Sequence, residues 1–164
     1  MGSFVLERCE VVYRLGGVDP DEGVDVYKLV PYLNKFDDLV RETIRTTGYD
    51  GEVSVKVRPF REGSFITEFV INGRLTELLT GDQANAISNA LGILGFFGIS
   101  AKTLPHIVRS VRGRIDECTS NGDGTYTYGH GKDAVTVDET THDVVQSSKI
   151  AVLYGHVAVG PIHE

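Results

Sequence analysis

The densest set of side chains able to do chemistry lies in TLPHIVRSVRGRIDEC, residues 103–118. His106, Arg109, Arg112 and Arg114 follow one another closely there, around an apolar set of Ile107, Val108, Val111 and Ile115. This spacing predicts an amphipathic helix with the basic groups spread around the rest of its surface. On such a helix Arg109 and Arg112 stand one turn apart, so their guanidinium groups can converge on one phosphate or carboxylate, with protonated His106 as a third donor. The chemistry is capture of a small anion such as a nucleotide. Arg58 and Arg61, in VRPFREGSFITEFVING at 57–73, form an exposed pair that can also meet an anion or an acidic partner. The competing expectation for the 103–118 arginines is a solvated helical face, paired with the acidic side chains abundant at both ends of the chain.

Other reactive-looking residues lack the company their chemistry needs. Ser64 follows Gly63, but a nucleophile elbow requires Gly-x-Ser-x-Gly between a strand and a helix, and here another strand pattern follows. Its expected role is hydrogen bonding in a turn. His130 sits between two glycines and, with Asp133, His142 and His156, can be drawn as a metal site. These residues show none of the HxxxH, HExxH or paired-cysteine spacings of metal sites, so no metal is expected. Gly92, Gly95 and Gly98 recur every third residue with Ile, Leu and Phe between them, which predicts close backbone packing, or a helix ending near Gly95, in place of a phosphate loop. No cofactor fingerprint accompanies these motifs.

A chain of 164 residues with 41% apolar content can bury a sizeable core and is expected to form one domain. The formal charge of −7 opposes a general nucleic-acid-binding role, because that affinity comes from clustered Lys and Arg. Charge is uneven along the chain: residues 51–115 carry eight basic and five acidic side chains, residues 116–164 two and eight. The longest apolar run, ALGILGFFGISA, is shorter than the roughly 20 residues that cross a bilayer, so no membrane span is expected. Cys9 and Cys118 are the only cysteines, and no basic-plus-apolar leader precedes the first polar residues. Together these predict an intracellular, reduced protein of the cytoplasm.

The elements that must position these residues follow from periodicity. SFVLERCEVVYR at 3–14 reads as an opening strand, and LGGVDPDEG breaks it. Leu29, Leu33, Phe36, Val40 and Ile44 fall at helical spacing, with Pro31 suited to a first turn and Gly48 to a C-terminal cap, which predicts a helix near 31–47. Val53, Val55 and Val57 alternate with polar residues, and Phe65 to Ile71 alternate after the Arg-Glu-Gly break, so 53–71 is expected to be a β-hairpin. A second helix is predicted near 82–95 through Ile87, Leu91 and Leu94, with Phe96 and Phe97 offering a self-association surface where they are not core. TYTYGHGKDAVTV predicts a second hairpin at 125–137. Beyond it, Thr140 or Thr141 can cap a helix to about His156, while HVAVGP suits a strand. The chain then ends just past an apolar run, as the N-terminal part of a longer protein would.

VSVKVRPFREGSFITEFV and the following AISNALGILGFFG, in the order strand, amphipathic helix, Gly-Ser-Phe hairpin, Gly-rich helix and basic helix, resemble an uncharacterised family of bacteriophage and prophage proteins. The resemblance implies a phage or mobile-element origin and no particular activity. The expected fold is α+β, a mostly antiparallel sheet of hairpins covered on one face by about three helices. The leading functional expectation is a non-catalytic interaction protein of phage type that binds a protein partner or itself. The alternative is a binder of small anionic ligands through Arg109, Arg112 and Arg114 with Arg58 or Arg61. A third and weaker reading is a hydrolase using Ser64 or His130, although no base, orienting acid or oxyanion arrangement can be read at linear spacing.

Overall fold

The computed structural model describes residues 3–13, 26–49, 51, 53–57, 65–74, 81–95 and 103–159. The fold is α+β, as the periodicity predicts. Strand β1 (Ser3–Tyr13), helix α1 (Val26–Thr46), strands β2 (Val53–Val57) and β3 (Phe65–Arg74), and helices α2 (Gly81–Gly92) and α3 (Leu104–Ser110) come first. Strands β4 (Cys118–Ser120), β5 (Thr125–Tyr128) and β6 (Val135–Asp138) follow, then helices α4 (Glu139–Gln146) and α5 (Ser148–Val159).

The strands form two antiparallel three-stranded sheets, ordered β1-β3-β2 and β4-β5-β6. In the first, Val57 pairs with Phe69 and Val53 with Gly73, so both arms of the expected 53–71 hairpin are present. Its tip, with Arg58, Arg61, Gly63 and Ser64, lies outside the described residues, as do Phe96 and Phe97. The 125–137 hairpin also forms, with Tyr128 opposite Val135. It does not extend the first sheet. Cys118, placed by the sequence at the end of a basic helix, instead opens its third strand, Cys118–Ser120, and lies opposite Tyr128.

Helix α1 is the hub. Tyr32, Phe36, Leu39, Val40 and Ile44 are sealed from solvent at three- and four-residue spacing, and each such burial contributes roughly 1.5–3 kcal/mol. Thr43 is buried among them and donates its hydroxyl to the Leu39 carbonyl at 2.8 Å. Because the helix starts at Val26, Pro31 falls inside it and not in its first turn, and α1 forgoes one backbone hydrogen bond there. Gly48 takes φ +82° just past the end, the left-handed position expected of it. Arg41, held by Asp37 at 2.8 Å, donates to the Val53 carbonyl at 2.6 Å and ties α1 to β2.

The C-terminal segment, ambiguous between helix and strand in the sequence, is helical. Ile150, Leu153 and Val157 are buried along one face of α5, which packs on α1, and that stripe decides the matter over β propensity. The Lys149–Glu42 ion pair at 2.8 Å crosses the same junction at its solvent edge, where such pairs add little. Asp138, not Thr140 or Thr141, caps α4: its Oδ1 accepts from the Thr141 amide at 2.7 Å. Among the described residues no helix is long and apolar enough to cross a membrane.

Tyr128 joins the second sheet to α4. Its ring is fully buried, and its hydroxyl accepts from Gln146 Nε2 at 3.0 Å and shares a hydrogen bond with His142 Nδ1 at 2.7 Å. Gln146 also donates to the Ile115 carbonyl at 2.6 Å, and the His142 ring stacks on Tyr126 at 3.6 Å between centroids. Burial pushes the Tyr128 hydroxyl up from 10.0 to about 12, and burial raises Tyr154 as well. The unfolded chain releases the Tyr128 proton near pH 10 and the folded one only near 12, so stability falls as pH rises between those values. Chemical denaturation as a function of pH is expected to show that alkaline decline. Tyr128→Phe should lessen it, the Tyr154 contribution remaining, while costing about 1 kcal/mol at neutral pH, because Gln146 and His142 lose a partner.

Candidate functional site

The basic segment is not one continuous helix. Pro105 opens α3, Leu104 and Ile107 anchor it in the core, and it stops at Ser110 after seven residues. The stop is a Schellman motif: the Gly113 amide donates to the Val108 carbonyl at 2.8 Å and the Arg112 amide to the Arg109 carbonyl at 3.0 Å. Turns then carry the chain through Arg114 to β4. The expected helix near 104–117, with Arg109 and Arg112 one turn apart on its surface, is thus corrected.

Arg112 occupies the left-handed position of this cap, at φ +53°, the only positive φ at a non-glycine residue among those described. Glycine is the usual occupant, since a Cβ in that conformation costs about 1–2 kcal/mol. The chain reverses at Arg112, three residues after Arg109 in the last turn of α3. Both line a cleft of about 580 Å³, together with His106, Arg114, Ser110, Val111, Glu117, Gly129, His130 and Asp133.

The opposite wall comes from the turn after β5. Gly129 has φ +79°, and a methyl group there would sit 3.0 Å from the Ser110 carbonyl oxygen, so only glycine lets the two backbones approach this closely. His130 follows and leads into a single 3-10 turn at Gly131–Asp133. The docking of Gly129 on the end of α3 therefore carries His130 and Asp133 to the arginines.

His106, Arg109, Arg112, Arg114, His130 and Asp133 are all exposed. Arg114 pairs with Glu117 at 3.1 Å. Among the described residues no hydrogen bond or ion pair engages the side chains of Arg109, Arg112 or Asp133. Among the described residues, the expected pairing of these arginines with acidic side chains is met at Arg114. In a protein of net charge −7, three guanidiniums against two carboxylates make the cleft a local reversal of sign.

All four basic residues of 103–118 singled out from the sequence thus line one cleft, while Arg58 and Arg61 lie outside the described residues. Of the histidines drawn as metal ligands, His130 lines the cleft with Asp133, His142 is engaged by Tyr126 and Tyr128, and His156 is exposed on α5. Among the described residues no three His, Cys, Asp or Glu side chains are grouped to hold a metal ion. Sequence reasoning missed Ser110, Glu117 and Gly129. The signal available for Gly129 was its place between two hairpin arms, which marks a turn but not what the turn touches. No protein-family model matches the chain, and no curated protein or solved structure matches it.

Two substitutions separate backbone strain from packing at this site. Arg112→Gly should stabilise the protein by roughly 0.5–1 kcal/mol, by relieving the left-handed conformation. Gly129→Ala should destabilise it by about 1 kcal/mol or more, beyond Gly113→Ala, whose added methyl meets open space at φ +82°. Denaturant unfolding of the three variants measures both effects.

Proposed function

We propose that this protein is a non-catalytic binding module that captures a small phosphate-bearing anion, of mononucleotide size or smaller, in the cleft between α3 and the 129–133 turn. The observation that carries the reading is Arg112. An arginine stands where glycine would be more stable, and its strained backbone brings a guanidinium without an acidic partner among the described residues into a cleft already lined by Arg109 and Arg114. Strain of this kind persists where the site needs the residue. Planar guanidinium forks match phosphate oxygens bidentately, and His106 and His130 add donors when protonated.

Binding is favoured over turnover because, among the described residues, His130 has no hydrogen-bonded carboxylate to orient it as a base. The resemblance to bacteriophage and prophage proteins implies a setting for such a module and no chemistry of its own.

Calorimetric titration with inorganic phosphate and adenosine monophosphate is expected to give heat at low salt that diminishes at moderate salt, since exposed charges are screened over about 8–10 Å at physiological ionic strength. Arg109→Ala and Arg112→Gly should each lose most of the affinity, the second while raising the melting temperature. Heat unchanged in both variants, or absent from the wild type, refutes the site.

A further inference from the structure

The cleft is not uniformly basic. Asp133 lines it beside the arginines, and a bare anion bound there would be repelled by that carboxylate. Glu117 is already engaged by Arg114, whereas Asp133 has no partner among the described residues and so offers free acceptor capacity. An ionised carboxylate only accepts hydrogen bonds, so a ligand that uses Asp133 must bring a donor as well as a negative charge. An ammonium group is disfavoured as that donor, because three guanidiniums line the same space. A neutral hydroxyl is not. The volume of about 580 Å³ suits a whole small molecule and exceeds what an inorganic ion fills.

Resting on the anion-binding reading, we propose that the ligand is a phosphorylated sugar, its phosphoryl group held by Arg109 and Arg112 and a sugar hydroxyl donating to the Asp133 carboxylate. Carboxylates serve this role toward ribose in dinucleotide sites, where an acidic side chain accepts from the 2′-hydroxyl. The same chemistry is presented by a free sugar phosphate and by a ribonucleotide.

The test is calorimetry with inorganic phosphate, ribose 5-phosphate and adenosine monophosphate on the wild type, Asp133→Ala and Asp133→Asn. Asp133 is exposed, and thermal melts confirm that the variants remain folded. In the wild type, ribose 5-phosphate is expected to bind roughly tenfold more tightly than inorganic phosphate, the worth of one charge-assisted hydrogen bond. Asp133→Ala should tighten inorganic phosphate as the repulsion disappears and abolish the preference for ribose 5-phosphate over it. Asp133→Asn, which keeps an acceptor without the charge, should retain part of that preference. The rank of adenosine monophosphate against ribose 5-phosphate then assigns the source, a ribonucleotide if the first binds more tightly and a free sugar phosphate if it does not. Equal affinities for phosphate and ribose 5-phosphate in the wild type, or a ratio unmoved by Asp133→Ala, overturn the sugar assignment and leave the anion site standing. No binding of phosphate, sugar phosphate or nucleotide removes both.

Discussion

The Tyr128 hydroxyl is the contact on which the arrangement of the cleft depends. A phenol buried this completely must find partners, because an unsatisfied buried hydroxyl costs more than a hydrogen bond returns. It finds them on one helix, in Gln146 and His142 of α4, and Gln146 extends the link to the Ile115 carbonyl in the segment leaving α3. The second sheet, α4 and the chain between α3 and β4 are thereby held in one relation. Gly129 is the next residue after Tyr128, so its approach to the Ser110 carbonyl is set by the same anchor.

Around that anchor the core divides the work. Helix α1 supplies the largest apolar face, and α2, α4 and α5 pack on it. Polar links such as Arg41 to the Val53 carbonyl and Lys149 to Glu42 lie at the edges of these contacts, where they orient elements that apolar burial already holds. Helix α3 is short and leans on the core through Leu104 and Ile107, with Val111 buried just beyond its end. Its surface is thus left to polar groups. A short helix with a tightly capped end is well suited to present side chains from its last turn and from the reversal after it.

At that reversal, stability and binding pull apart. The Schellman geometry asks for a residue that tolerates the left-handed region, and arginine does so at a cost that glycine would avoid. Arg109 and Arg112 then line one cleft with no ion pair to either among the described residues, which leaves repulsion that a ligand's phosphate would remove. Both terms are small beside the core, so the fold tolerates them. The repulsion also acts only on the exposed rim, where solvent and salt reduce it further.

Much of this architecture was legible in the chain because helix and strand periodicity is a property of neighbouring residues. Phe36, Val40 and Ile44 mark the buried face of α1, and alternating valines mark β2, whatever they pack against. The four basic residues of 103–118 were likewise visible as a cluster. Where the helix bearing them ends was not, since that depends on a cap formed when Val111 buries and Arg112 turns back. The separate second sheet, the helical C-terminal segment and the engagement of His142 by Tyr128 all arise from contacts between residues distant in sequence, to which periodicity is blind. So does the cleft itself. Types and spacing at 106–114 supplied the positive groups, but the wall formed by His130 and Asp133 arrives only because a glycine at 129 allows one backbone to rest against another.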